Sequence, residues 1–258
     1  MQFDLNTSVG ELYVVTYGNK AERPTIVFLH DSLGSVELWR DFPKHLGAVT
    51  HCNVLVYDRQ GYGKSGPFAA GDRQNNYLEQ EADILHQLLE HSGIKRAILF
   101  GHSDGGSIAL IAAAKYPSSI MGVITEGAHI FVEDITLQGI REAVKAYYTT
   151  DLKGRLQKYH GDKTEAVFRA WTETWLREEF RSWNIEGFLP HIKCPVLVIQ
   201  GEEDEYGSLG QVDGIVNQVS GKAGKLVIPG VGHTPHKEAK EEVLQQTAAF
   251  FNQLVAGG

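Results

Sequence analysis

The sequence lacks the features that would place it in several large classes of protein. It has only two cysteines, Cys52 and Cys194, each at the start of an apolar, strand-like run. Such positions predict buried structural thiols, and neither cysteine has metal-ligand spacing to a second one. Neither a disulfide nor a metal site is expected. No block of lysine and arginine occurs, and the formal net charge is -8, so nothing suits the chain to tracking a phosphate backbone or an anionic bilayer. No apolar run reaches the length needed to span a membrane, and Met1-Gln2-Phe3-Asp4 does not open a basic segment followed by an apolar one. The expectation is a cytoplasmic protein with no nucleic-acid or membrane partner. Internal repeats and low-complexity tracts are also absent.

What is present is the composition of a folded domain: 258 residues, 42% hydrophobic and 22% charged. Short β-branched runs alternate with longer amphipathic ones, the pattern of strands joined by helices over a mostly parallel sheet. Strands are expected at Glu11 to Tyr17, as part of an antiparallel edge pair, and at Thr25 to His30, Asn53 to Tyr57, Ala97 to Gly101, Met121 to Thr125, Val196 to Gln200 and Lys225 to Ile228. Helices are expected at Leu78 to His91, with Gly93 as a stop, at Gly105 to Tyr116, ended by Pro117, and at Glu241 to Leu254. One interval breaks the alternation. Between 130 and 191 there are helix-like runs at Glu133 to Tyr148, Leu152 to Tyr159 and Thr164 to Phe180 and no credible strand. We read it as a helical insertion into a core formed by 1–129 and 192–258. It carries Trp171, Trp175 and Trp183, three of the four tryptophans, which either cover a pocket as a lid or fasten the insertion to its neighbours.

Leu99-Phe100-Gly101-His102-Ser103-Asp104-Gly105-Gly106 places Gly-x-Ser-x-Gly between an expected strand and an expected helix. A sharp turn there holds a serine at unfavourable backbone angles and projects its hydroxyl, while the flanking glycines leave room for neighbouring backbone. A serine hydroxyl is a weak nucleophile near neutral pH and requires a base, itself oriented by a carboxylate. Two loops beyond later strands supply candidates. Gly201-Glu202-Glu203-Asp204-Glu205 offers Asp204, and Pro229-Gly230-Val231-Gly232-His233 offers His233. Open α/β sheets gather ligand groups at the carboxyl ends of their strands, so Ser103, Asp204 and His233 can meet there as a catalytic triad.

These motifs, together with His30-Asp31-Ser32-Leu33-Gly34, Asp58-Arg59-Gln60-Gly61-Tyr62-Gly63-Lys64-Ser65 and Gly232-His233-Thr234-Pro235-His236-Lys237-Glu238, resemble those of α/β-hydrolase fold serine hydrolases over nearly the whole chain. The resemblance implies a mostly parallel eight-stranded sheet flanked by helices, with a lid inserted where the helical interval falls. It also implies an oxyanion hole built from the Asp104 N–H and a second N–H after His30, Ser32 first and Leu33 next. Asp31 stands where the family has glycine. Ser103-Asp104-Gly105-Gly106, with Ala109 to Pro117, further resembles the valacyclovir hydrolase family, in which the corresponding acid binds the substrate's α-amino group. Asp104 therefore either pairs with a substrate ammonium or caps the following helix. Asp104 and Leu33 are the expected substrate contacts.

Other signals are weaker. Gly63-Lys64-Ser65 lacks the glycine a phosphate loop needs at Asp58, and Pro67 interrupts the helix that should follow, so Asp58 and Arg59 are read as fixing loops. His233 and His236 lack a third metal ligand. His102, His30, Glu126 and His129 are read as structural, although the last two lie near enough to reach the pocket rim. The expected activity is hydrolysis of small carboxylic esters, including amino-acid esters, by a serine esterase without cofactor or metal, acting as a monomer or small homo-oligomer. The same triad also suits a carbon-carbon bond hydrolase, a lactonase, an amide hydrolase or a lyase, and the fold also serves small-molecule receptors with little turnover.

Overall fold

A computed structural model describes residues 2–7, 10–20, 22–69 and 73–256. Eight strands form one sheet: β1 (Gln2–Thr7), β2 (Gly10–Tyr17), β3 (Thr25–Leu29), β4 (Asn53–Tyr57), β5 (Ala97–His102), β6 (Ile120–Glu126), β7 (Val196–Gly201) and β8 (Ala223–Ile228). Their order is β1-β2-β4-β3-β5-β6-β7-β8. The first two pairings, β1 with β2 and β2 with β4, are antiparallel, and all others are parallel. The sequence pattern missed β1, which pairs along the outer side of β2.

The central strands are buried on both faces, as their unbroken β-branched and aromatic runs require. Helices α1 (Phe42–Thr50), α2 (Tyr77–His91), α3 (Asp104–Lys115), α4 (Asp134–Thr149), α5 (Leu152–His160), α6 (Thr164–Leu176), α7 (Leu209–Gln218), α8 (Pro235–Glu238) and α9 (Lys240–Ala256) complete the chain. Two apolar cores form. One holds Leu55, Leu99, Ile108 and Leu85, and the other, across the sheet, holds Phe28, Phe42, Phe100 and Phe251. Helix α3 is buried along nearly its entire length, which explains its Ala-rich sequence without a polar face.

The interval 130–191 contains α4, α5 and α6 and no strand, with only an isolated bridge between Phe131 and Asn184. The third expected helix ends early: α6 stops at Leu176, and a short 3-10 turn covers Glu178–Phe180. Cys52 and Cys194 are half-buried rather than buried. Each precedes its strand, at the rim where the sheet begins, so the apolar run that follows does not enclose it.

Candidate active site

Ser103 lies between β5 and α3, as the N-cap of α3, with φ 55 and ψ -119, one of three non-glycine residues at positive φ among those described. Such angles strain an L-residue and persist only where the surroundings impose them. Here two glycines make the turn possible. A Cβ on Gly101 would overlap the Gly105 carbonyl and the Gly106 nitrogen, and one on Gly105 would overlap the Leu29 carbonyl of the adjacent strand. Ser103 N–H donates to the Glu126 carbonyl at 2.8 Å, which ties the turn to β6.

Asp204 and His233 approach from loops after β7 and β8. His233 Nδ1 lies 2.8 and 2.9 Å from the two Asp204 carboxylate oxygens. Asp204 is the buried acid of its turn, whereas Glu202, Glu203 and Glu205 are exposed, which decides between the four candidates. Gly201 makes the two loops compatible, since a Cβ there would overlap the carbonyls of Val231 and Gly232. Burial alone would lower the His233 pKa, but the adjacent Asp204 charge and hydrogen bond outweigh it and raise it above the ordinary value. The same pairing outweighs burial at Asp204 and lowers its pKa. With Nδ1–H donated to Asp204, the neutral ring presents a bare Nε2 as base.

Ser103 and His233 line one cavity together with Asp31, Ser32, Leu33 and Asp104, in about 440 Å³ of space partly continuous with solvent. Among the described residues Ser103 Oγ has no hydrogen-bond partner, His233 included. Such contacts commonly close only around substrate. The backbone N–H groups of Ser32, Leu33 and Asp104 likewise have no protein acceptor among the described residues and border the same cavity.

The turn carrying Ser32 is clamped from below. Arg59 N–H donates to His30 Nε2 at 3.0 Å, so His30 carries its proton on Nδ1 and donates it to the Asp31 carbonyl at 2.8 Å. Arg59 Nη2 donates to that same carbonyl at 2.9 Å. Asp58 accepts from Val36 N–H at 2.6 Å and Lys64 N–H at 2.7 Å, the loop-fixing role expected of it. His102 bonds the His233 carbonyl through Nε2 at 2.8 Å, and the buried His236 and Glu126 side chains pair at 2.6 Å. His102, His236 and Glu126 therefore hold the His233 loop in place. No grouping of described residues suits a metal ion.

Asp104 does not cap α3. Ser103 is the N-cap, without a side-chain bond, and the Asp104 carboxylate turns instead toward α2. Oδ2 accepts from Tyr77 Oη at 3.0 Å and lies 3.5 Å from Arg59 Nη2, while Oδ1 is buried without a partner. Trp175 Nε1 donates to Tyr77 Oη at 2.9 Å, a chain of hydrogen bonds from the helical interval to the residue beside the nucleophile.

Sequence reasoning missed several lining groups, Thr136 and Ile140 of α4 and Tyr206, whereas His129, expected to be structural but within reach of the pocket rim, does line the cavity. His129 Nε2 bonds the Tyr206 carbonyl at 3.0 Å, and burial lowers its pKa, so the ring is neutral and its unpartnered Nδ1 is a bare acceptor. Trp171 and Trp175 line the cavity, whereas Trp183 stacks on Phe180 outside it. Gly127 is a further omission. Its φ is 55, and a Cβ there would sit 2.8 Å from His233 Cε1 and Nδ1. A glycine directly after a strand's carboxyl end was the signal available for it.

This geometry agrees with comparisons to known proteins. The family model for the α/β hydrolase fold matches residues 24–186, and the chain belongs to that family. It is a serine hydrolase of the α/β fold. Its relatives include serine hydrolase BPHL of Mus musculus, 30% identical over 89% of this chain and 77% of that one, and of Homo sapiens, 31% identical over 84% and 75%. The 2-hydroxy-6-oxo-6-phenylhexa-2,4-dienoate hydrolase of Comamonas testosteroni is 24% identical, covering 93% of this chain and 92% of its own. Among solved structures, a carboxylesterase of the thaumarchaeon Nitrososphaera gargenis superposes with a TM-score of 0.81 at 18% identity, over 99% of this chain and all of that one. No helix among the described residues is long and apolar enough to cross a membrane.

Proposed function

We propose that the protein hydrolyses carboxylic esters through a Ser103-His233-Asp204 triad. The observation that carries this reading is the Asp204–His233 pair, with His233 lining the same cavity as a strained Ser103. Ser103 Oγ attacks the ester carbonyl as His233 Nε2 takes its proton, and the tetrahedral oxyanion is met by the N–H groups of Asp104 and Ser32. His233 then returns the proton to the departing alcohol, and water releases the acid from the acyl-enzyme under the same base. Asp204 orients the imidazole and stabilises its protonated form. Helices α4 to α6 act as the lid, with Trp171 and Trp175 as its apolar underside.

Asp104 gives the reading its substrate preference. Asp104 lines the cavity and its buried Oδ1 is without a partner; a substrate ammonium that reached it would satisfy it, which favours amino-acid esters. The test compares an amino-acid p-nitrophenyl ester with its des-amino analogue in the wild type, Ser103→Ala and Asp104→Ala. Ser103→Ala should abolish turnover and covalent labelling by an organophosphonate while the protein stays folded, and retained turnover overturns the mechanism. Asp104→Ala should erase the preference for the amino ester. An unchanged ratio removes the ammonium subsite and leaves the triad standing.

A further inference from the structure

Fixing loops does not account for the whole of Arg59. Its side chain is fully buried, yet Nε and Nη1 have no acceptor among the described residues, and Nη2 makes every hydrogen bond of the guanidinium. A buried cation with two of its three nitrogens unpaired costs stability rather than adding to it. The nitrogen in use spans two walls of the site, 2.9 Å from the Asp31 carbonyl and 3.5 Å from Asp104 Oδ2. Arg59 Cζ lies 4.6 Å from the centre of the Tyr62 ring, and the same ring packs against His30 with centroids 4.9 Å apart. Arg59 and His30 therefore share one fixed seat.

The Asp31 carbonyl belongs to the same peptide unit as the Ser32 N–H. Three donors converge on its oxygen: His30 Nδ1 at 2.8 Å, Arg59 Nη2 at 2.9 Å and Gly34 N–H at 3.2 Å. A trans peptide is planar, with its C=O and N–H pointing opposite ways, so fixing the oxygen also fixes the direction of the N–H. His30 and Arg59 are buried and do not line the cavity, whereas Asp31, Ser32 and Leu33 do. The carbonyl is thus pinned on the protein side, which turns the Ser32 N–H toward the cavity. The next peptide has no such support, since the Ser32 carbonyl accepts no hydrogen bond among the described residues. This distinguishes the Ser32 N–H from that of Leu33. A cation bonded to the carbonyl also polarises the peptide and makes its N–H a stronger donor.

Resting on the ester-hydrolase reading, we infer that Arg59 is a positioning residue of the oxyanion hole, which acts through the Asp31–Ser32 peptide to aim and strengthen the Ser32 N–H. Arg59 itself touches neither substrate nor reacting atoms. Its effect falls on the transition state, because the neutral carbonyl of a bound ester draws little on the hole and the tetrahedral oxyanion draws on it fully. Acylation and deacylation both pass through such an oxyanion, so both steps depend on the same peptide.

The experiment compares the wild type with Arg59→Met and Arg59→Lys on p-nitrophenyl acetate, a neutral ester on which the charge of Asp104 makes no selection. Rates are taken per active site, counted by titration with an organophosphonate, so that an unfolded fraction does not enter. Arg59→Met should lower kcat by about 10- to 100-fold, up to the scale of one lost oxyanion donor, with KM within about twofold of wild type. Arg59→Lys keeps the charge with a less well-matched donor and should lose less, and it carries the same readouts if Arg59→Met does not fold. An alkyl trifluoromethyl ketone, which Ser103 converts to an oxyanionic adduct, should weaken as an inhibitor in the same proportion as kcat/KM falls. The acid limb of the pH-rate profile should stay in place, because Asp204 and His233 are untouched. The inference is overturned if kcat per site stays within twofold of wild type, if the loss lies in KM alone, if ketone affinity is unchanged, or if the acid limb moves. A wild type with no Ser103-dependent turnover overturns the hydrolase reading beneath it and the inference with it.

Discussion

Replacing Gly127 by alanine tests whether catalysis depends on the backbone that frames the triad. Gly127 follows β6 at φ 55 and donates its N–H to the Ile199 carbonyl at 3.1 Å, so it is held in place and cannot readily swing aside. An alanine Cβ would stand 2.8 Å from His233 Cε1 and Nδ1 and 3.2 Å from Asp204 Oδ2. Ordinary contact begins near 3.4 Å, so His233 must recede by about 0.6 Å from its 2.8 Å contact. Bonds of 2.8 and 2.9 Å to Asp204 do not survive such a shift unchanged. A misplacement of about 1 Å in a reacting group costs on the order of 100-fold, so Gly127→Ala should lower kcat/KM on p-nitrophenyl acetate by roughly 10- to 100-fold.

Left-handed backbone costs an alanine about 1–2 kcal/mol, which for a chain of this size lowers Tm by roughly 2–8 °C. That loss must be separated from the clash, and Gly93 offers the control. It has φ 66, yet a Cβ there would meet nothing within 4 Å. Gly93→Ala should lose a similar amount of Tm and keep full activity. Gly127→Ala activity within twofold of wild type would refute the reasoning, as would an equal activity loss in the two variants.

Three other outcomes follow from the same geometry. A base must be unprotonated, and Asp204 raises the His233 pKa, so kcat/KM should rise with pH through a midpoint above 6.5. Asp204→Asn removes the raising charge, and a pH-rate profile should show its acid limb displaced downward with kcat reduced by about 10³- to 10⁴-fold; a limb that stays in place refutes the pairing. Gly105→Ala puts a Cβ into the Leu29 carbonyl, and because backbone cannot yield as a side chain can, melting or solubility measurements should show loss of the fold. Tyr77→Phe leaves both Trp175 Nε1 and the buried Asp104 carboxylate short of a partner, which should cost about 1–3 kcal/mol in denaturant unfolding while neutral esters are still hydrolysed.

The sheet was legible because burial on both faces demands unbroken β-branched runs, and β3 to β8 fall within two residues of the expected bounds. The outer pair was less so, and β1 escaped notice because a strand paired only along one side carries a weak pattern. Helices α1 and α7 were missed for a similar reason. Helix α7 spans ten residues and buries only Gln211, Val212 and Ile215, although the Ser208 side chain accepting from Gly210 N–H marks its start. At the site, Ser103, Asp204 and His233 were readable from turns that follow strands. The partners of Asp104 were not, because Tyr77 is 27 residues away and Trp175 is 98 residues from Tyr77. The helix-cap alternative for Asp104 was local, whereas the hydrogen bonds it makes are tertiary.

Ser103, Asp204 and His233 reach one edge through close contacts at glycines. Gly105 meets the Leu29 carbonyl, Gly101 meets Gly105, Gly201 meets the His233 loop, and Gly127 admits the His233 ring. At each of these positions one added carbon would force the neighbouring segments apart. Asp31 and Gly34 repeat the arrangement on a smaller scale, since the glycine leaves the carboxylate the space it occupies. Changes at Asp104 alter the charge of the cavity while leaving these glycine contacts intact, and changes at Gly105 or Gly127 disturb the framework whatever the substrate.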